Sequence, residues 1–247
     1  WQCFYNDDEN SFTYVSMTGL KKEYYGVEAG LDFKLTSWLN FKTIGSICEA
    51  KNLNNVTAVY MLSKSADVYS DKAYVAGMRE SGTPLTVGSL GLNFHKSGWF
   101  IDLNANYYDR IYLSYSPSYR YERVLKNRQS AHITYPEIFD AVVSEDGNSF
   151  LPEATEQTKG HGGWMVDMSI GKSVRLKKGS LNFNLMITNL LNNQTMVTGA
   201  YEQNSRSGYT LTTTGEVNNA RIYQFSKNPK KYYAFGTNGM FQVSYRF

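Results

Sequence analysis

Residues 232–247 read YYAFGTNGMFQVSYRF, and the two parities of this stretch differ in chemistry to the last residue. Tyr233, Phe235, Thr237, Gly239, Phe241, Val243, Tyr245 and Phe247 share one parity; Ala234, Gly236, Asn238, Met240, Gln242, Ser244 and Arg246 share the other. A period of two sends successive side chains to opposite faces of a β-strand. One face is then aromatic and apolar, the other small and polar. With no later chain expected to cover it, the apolar face of this last strand is expected to meet something already in place. Lipid satisfies that requirement.

The same alternation recurs. Tyr25, Val27, Ala29, Leu31, Phe33 and Leu35 are interleaved with Glu28, Gly30, Asp32 and Lys34. Leu39, Phe41, Thr43, Gly45 and Ile47 repeat the pattern, as do the sets beginning at Trp99, Trp164 and Leu181. Residues 86–94 fit it least, because Val87, Leu90 and Leu92 break the parity. Each set covers about nine to eleven residues, the length a tilted strand needs to cross a bilayer. A one-residue slip of the strand beginning at Tyr25 turns Asp32 and Lys34 toward lipid, and a midplane lysine there costs about 2–4 kcal/mol. Lys172 has the outward parity but lies near a strand end, where its stem can snorkel. Asp109 is expected above the apolar band.

Connections sort by length. Tight turns are expected at residues 36–37, 95–98 and 177–179, and long polar stretches at 52–82, 117–160 and 200–231. Short and long strictly alternate, the arrangement of outer-membrane barrels with short periplasmic turns and long outer loops. The expected fold is therefore all-β, an antiparallel transmembrane β-barrel segment of about eight strands. Strands near 12–35, 84–94, 162–176 and 232–247 descend; those near 38–51, 98–115 and 181–197 ascend, and residues 1–5 top another. Trp38, Phe94, Trp99, Phe183, Tyr245 and Phe247 form a lower aromatic belt, and Tyr24, Tyr25, Tyr107, Tyr115, Trp164, Tyr232 and Tyr233 an upper one.

Composition excludes other classes. Lys+Arg number 25 against Asp+Glu 22, a net charge of +3 that makes no electrostatic case for nucleic acid. The apolar share of 42% is diluted rather than blocked, with no run near the ~18 residues of a membrane helix. Cys3 and Cys48 are expected to be free, since two cysteines make no disulfide scaffold and their spacing fits no zinc site. His95, His132 and His161 are far apart, and no H-E-x-x-H or G-x-S-x-G occurs, so no enzyme, metal or cofactor is expected. The acidic groups Asp7, Asp8, Glu9 and Glu145, Asp146 lack calcium-loop spacing. The start, WQCFYNDDEN, has no signal-peptide features, so the chain is expected to be a fragment of a larger exported protein.

Four stretches carry a family resemblance. YYGVEAGLDFKLTSWLNFK (24–42), LNANYYDRIYLSYSPSYR (103–120), SLNFNLMITNLLNNQ (180–194) and SKNPKKYYAFGTNGMFQVSYRF (226–247) resemble the C-terminal barrel portion of SusC-like TonB-dependent transporters. The NLLNN segment is a feature of the superfamily more than of the subfamily. The resemblance implies a ~22-stranded barrel in the outer membrane of a Gram-negative bacterium, closed by a plug and importing glycans or peptides. It implies TonB, acting through an N-terminal part not present here, and a SusD-like surface lipoprotein as partners. Phe247 resembles the terminal aromatic signal read by the barrel-assembly machinery.

The polar parity sends Glu28, Asp32, Lys34, Lys42, Asp102, Asn104, Asn106, Asp167, Asn182, Asn184, Asn238, Gln242 and Arg246 toward a lumen, mostly for wall and plug contacts. Arg110, Tyr112, Tyr115, Tyr119, Arg120, Tyr121 and Arg123 lead from a strand into a long loop. Rings beside guanidinium groups can stack on sugars, grip a peptide or touch a lid; they can equally pack loop to loop. The alternative is a self-contained eight-stranded barrel acting as an adhesin or structural protein. A soluble β-domain is the third option.

Overall fold

The structure is a computed structural model that describes residues 2–6, 10–202, 208–221 and 229–247. Trp1 and the Asp7, Asp8, Glu9 group lie outside the described residues, as does part of the 200–231 stretch. In chain order, β1 (Gln2–Asn6) and β2 (Ser11–Met17) precede the long strands β3 (Lys22–Lys34) and β4 (Leu39–Asn52). Then come β5 (Val56–Leu62), β6 (Val68–Ala73), β7 (Pro84–Lys96) and β8 (Trp99–Tyr112). A 3-10 turn at Pro117–Arg120 runs into helix α1 (Glu122–Thr134), followed by β9 (Lys159–Gly160), β10 (Gly163–Leu176) and β11 (Gly179–Thr188). The short β12 (Val197–Tyr201), β13 (Gly208–Leu211), β14 (Val217–Arg221) and β15 (Lys230–Tyr233) lead to β16 (Asn238–Arg246).

The long strands form one antiparallel sheet in the order β16-β11-β10-β8-β7-β4-β3, with β9 on an upper flank of β8. Every neighbour in that path is the next long strand along the chain, so the wall is an up-and-down meander. Its turns at one end are short. Leu35 and Thr36 both donate N–H to Leu39 O (3.0 and 3.1 Å), closing the β3–β4 turn. Ser97 and Gly98 both take positive φ (52° and 75°), as a hairpin whose turn twist matches its strands requires. At the other end the connections are 53–83, 113–162 and 189–237.

Register sorts the side chains. Phe33, Phe41, Leu92, Leu103, Met168, Ile187 and Gly239 stand in one row across the sheet, because each pairs with the next. One layer along, Asp32, Lys42, Gly91, Asn104 and Asp167 stand in a row on the opposite face. Among the described residues nothing covers the apolar face. Val27 is 75% exposed, Ile47 62% and Phe241 63%. Among the described residues β3 pairs only with β4, and β16 only with β11.

Several expectations change. The segment 12–35 is not one strand: Gly19, at φ 80°, divides β2 from β3. The final stretch also breaks. Ala234 is buried, donates N–H to Met196 O (2.9 Å) and ends β15; β16 begins only at Asn238. The ascending strand expected near 181–197 stops at Thr188, and Val197 starts β12. Residues 2–6 join no wall strand but a separate sheet, β1-β2-β5-β6, leaving seven long strands where about eight were expected. Tyr24 lies opposite Ala50 on the other face from Tyr25, so the two do not share a belt. Within 86–94 Val87 alone breaks the alternation; Leu90, Leu92 and Phe94 share the apolar face.

Among the described residues most of the buried core sits in the loops; Ala50, Leu85 and Ile111, near the long-loop ends of β4, β7 and β8, are the wall's share. Val15, Val56, Ala58, Tyr60, Ala73, Val75, Met78 and Tyr121 make one cluster beneath the four-stranded sheet. Leu125, Val142 and Ala154 make another against α1. Long connections have thus folded into a cap over one end of the sheet.

Candidate functional site

Two surfaces place the residues singled out from sequence: the polar face of the wall and the cap above it. On the polar face short side chains bridge neighbouring strands. Ser89 Oγ donates to Asn106 Oδ1 (2.7 Å), Asn93 Nδ2 to Asp102 Oδ1 (2.7 Å), and Ser169 Oγ to Asn184 Oδ1 (2.9 Å). Lys42 Nζ lies 3.7 Å from Asp32 Oδ2, both half exposed. Exposed pairs of this kind add little stability. Asn104 lies over Gly91, where a Cβ would sit 2.9 Å from its Oδ1. Asn182, Gln242 and Arg246 face Ser173, Asn184 and Ser180 across their strands. Glu28 and Lys34 stand exposed opposite Ser46 and Asn40. Apolar groups interrupt this face: Ile44, Val87, Phe100, Met165, Met186 and Met240 share its parity. The Phe100 ring occupies the space over Gly171 and lies parallel to His95 at 6.3 Å.

Asp167 and Asn238 flank the NLLNN turn, whose asparagines explain its composition. Asn189 and Asn192 adopt positive φ (52° and 51°), which asparagine tolerates better than most residues. Asn189 is 1% exposed; its Nδ2 donates to Asn193 O (3.0 Å) and Phe235 O (2.7 Å), and its Oδ1 accepts from Asn193 N–H (2.9 Å). Its own N–H donates to Asp167 Oδ1 (2.9 Å). One residue therefore ties β10, the end of β11 and the entrance to β16.

The arginine–tyrosine candidates are mostly internal to the cap. Arg120 is 0% exposed, and all five of its N–H donors are used. Nη1 and Nη2 reach Glu202 Oε2 and Oε1 (2.6 Å each); the remainder go to Ser116 O (2.9 Å), Glu156 O (2.5 Å) and Thr155 O (3.1 Å). Glu202 Oε2 also accepts Ser116 N–H at 2.8 Å. The pair thus joins the segment after β8, the stretch before β9 and the one after β12. Tyr121 is buried and stacked on Tyr60 with ring centroids 5.0 Å apart. Burial pushes its hydroxyl well above the usual tyrosine range. Tyr115 is raised for the same reason and accepts from Asn52 Nδ2 (2.9 Å). Tyr119 is buried within the 3-10 turn.

Arg110 pairs with Glu49 and donates to Cys48 O (2.7 Å). Arg79 Nε meets the same carboxylate at 2.6 Å while its guanidinium lies over the Tyr112 ring at 4.8 Å. Arg123 is the exposed member of the set; its Nη2 donates to Tyr60 OH (3.2 Å). Tyr119, Arg120 and Tyr121 are buried, and among the described residues the candidates fall into packed groups around Glu49, Glu202 and Tyr60. Glu49, Arg79, Asn52 and Glu202 complete those groups without having carried any motif in the sequence. Only the aromatic and basic density of 103–123 pointed to them.

No protein-family model, curated protein or solved structure matches this chain. The class defined by the architecture is an antiparallel all-β protein.

Proposed function

We propose that this chain forms the C-terminal wall and loop cap of a SusC-like TonB-dependent transporter in the outer membrane of a Gram-negative bacterium. One observation carries the reading: a single-layer meander holds every wall strand's apolar parity on one uncovered face, with short turns at one end and a folded cap at the other. A single-layer sheet of this kind has no partner layer to bury that face in water, whereas lipid provides one. The outer strands β3 and β16 each pair on one side only among the described residues, which favours a larger barrel over a closed eight-stranded one. The polar face then lines a lumen or meets a plug, and the cap stands outside the cell. A SusD-like lipoprotein, TonB and the barrel-assembly machinery are the implied partners, with glycans or peptides as cargo.

The test is uptake in cells. Deleting the gene should abolish import of labelled oligosaccharides or peptides, and removing TonB from an otherwise wild-type strain should abolish it equally. Import that survives the loss of TonB sinks the reading, as does a protein that fractionates away from the outer membrane.

A further inference from the structure

Charge is distributed unevenly along the wall. At the cap end cations have carboxylate partners: Lys22 with Glu80, Lys51 with Glu23 (3.4 Å), Arg79 and Arg110 with Glu49, and Lys159 with Asp109 (2.8 Å). At the short-turn end, Lys96, Lys172, Arg175, Lys177, Lys178 and Arg246 have no carboxylate within ion-pair distance among the described residues. The nearby acids are occupied, Asp32 by Lys42 and Asp102 by Asn93.

Two of these cations stand on the apolar face itself. Lys96 pairs across the ladder with Trp99, and Trp99 with Lys172, which in turn pairs with Phe183. Trp38 packs edge-on to Phe94 at 5.4 Å beside Lys96. Aromatic rings and ammonium groups therefore alternate along one line: Trp38, Lys96, Trp99, Lys172, Phe183. The ammonium of Lys96 sits 5.1 Å over the Trp38 ring and that of Lys172 4.7 Å over Trp99. Lys172 Nζ also donates to Ser97 O (2.8 Å). An ammonium has three donors, so that bond leaves Lys172 two. Neighbouring strands lie about 4.8 Å apart, which puts the two lysine backbones roughly 10 Å from each other with one tryptophan between.

We propose that this row is a binding belt for the phosphate groups of anionic phospholipids at the short-turn margin of the wall. The idea rests on the reading that the apolar face meets a bilayer, and it adds which lipid that face selects. The rings set the depth, since indoles settle at the headgroup level. Each lysine stem lies along apolar surface and carries its charge to the same level. Two cations without carboxylates, one row deep, complement a net-negative headgroup and gain nothing from a zwitterionic one. A lysine close to an anionic surface strengthens attachment about fivefold, so the pair accounts for about a twenty- to thirtyfold preference.

The test uses the intact protein in vesicles and its own tryptophans as reporters. Replacing the tryptophans at 1 and 164, and any in the rest of the full-length protein, with phenylalanine leaves Trp38 and Trp99 within the belt as the reporters. Quenching is then compared between brominated phosphatidylglycerol and brominated phosphatidylcholine. Preferential quenching by phosphatidylglycerol is expected, falling to equality in K96Q/K172Q, while that variant's quenching by phosphatidylcholine is unchanged and reports that it still folds and inserts. Equal quenching by both lipids in the parent protein overturns the proposal, as does a preference that survives K96Q/K172Q. Quenching by neither lipid overturns the membrane reading beneath it.

Discussion

Removing Arg120 offers the sharpest test of how the cap is held. In Arg120→Met the Glu202 carboxylate stays buried without its partner, and the carbonyls of Ser116, Thr155 and Glu156 lose their donors. Breaking a fully buried ion pair on one side costs about 3–5 kcal/mol. At about 1.4 kcal/mol per factor of ten, opening of the cap becomes more frequent by two to three and a half orders of magnitude. The amides that report it are identified: Leu113 bonds Thr158 O (3.0 Å), Ser114 bonds Ala200 O (3.0 Å) and Ser116 bonds Glu202 (2.8 Å). Hydrogen exchange of a peptide spanning 113–121, followed by mass spectrometry on the detergent-solubilised protein, reads that opening directly. Glu202→Gln keeps an acceptor and removes only the charge, so its loss of protection should be smaller. The double variant R120M/E202Q should cost less than the two single changes added together, because the partners are in contact. Exchange in Arg120→Met within threefold of the parent protein would refute the reasoning.

Other outcomes follow from the same structure. Asn189→Ala removes three side-chain hydrogen bonds and places alanine at positive φ, so stability should fall by about 3–5 kcal/mol in urea titrations of the folded, detergent-bound protein. Asn189→Gly, which relieves only the backbone term, should recover about 1 kcal/mol of that. Gly171→Val drives a side chain into the Phe100 ring and to 2.5 Å from Phe183 O, and should abolish the heat-modifiable folded band on gels; the companion F100A should restore part of it. Lys22 donates to Glu80 and holds its carboxyl below the usual range, with burial acting in the opposite direction. A depressed carboxylate stabilises above its unfolded pKa and loses that contribution as pH falls through the folded value. Protease resistance of the 76–82 segment should therefore be flat from pH 7 to about 5 and drop below about pH 4, and Glu80→Gln should remove the drop.

What could be read from sequence is what two different solvents write into a strand. Tyr25 to Phe33 carries one apolar and one polar face, and Trp99 to Tyr107 does so with Phe100 as the one exception, so period two is legible and faces, turns and register order follow. Boundaries were harder where alternation continues through a break. The parity of 232–247 runs on past Ala234, yet that residue is captured by Met196 and the strand restarts at Asn238. Nothing local marks that capture, since Met196 lies near the opposite end of the same long connection. The cap was hidden for the same reason. Arg120 and Glu202 are 82 positions apart, and neither has a neighbour pattern that announces the other. Tyrosine density in 103–123 reads equally as a contact surface or as loop packing; in the fold Tyr121 stacks on Tyr60 and Tyr119 is buried, because aromatic rings serve a small core as well as they serve a ligand.

The placement of buried apolar groups has a thermodynamic consequence. Val15, Ala58, Val75, Leu125 and Val142 belong to the cap, while Val27, Leu31, Phe33, Phe241 and Val243 of the wall are exposed. Heat-capacity change on unfolding comes from apolar surface newly hydrated, so in a lipid or detergent environment it should reside almost wholly in the cap. The cap should then show a curved stability profile that weakens toward low temperature, while the wall melts late with a flat one. A calorimetric scan of this molecule should resolve two transitions of different curvature, and no single unfolding free energy describes it.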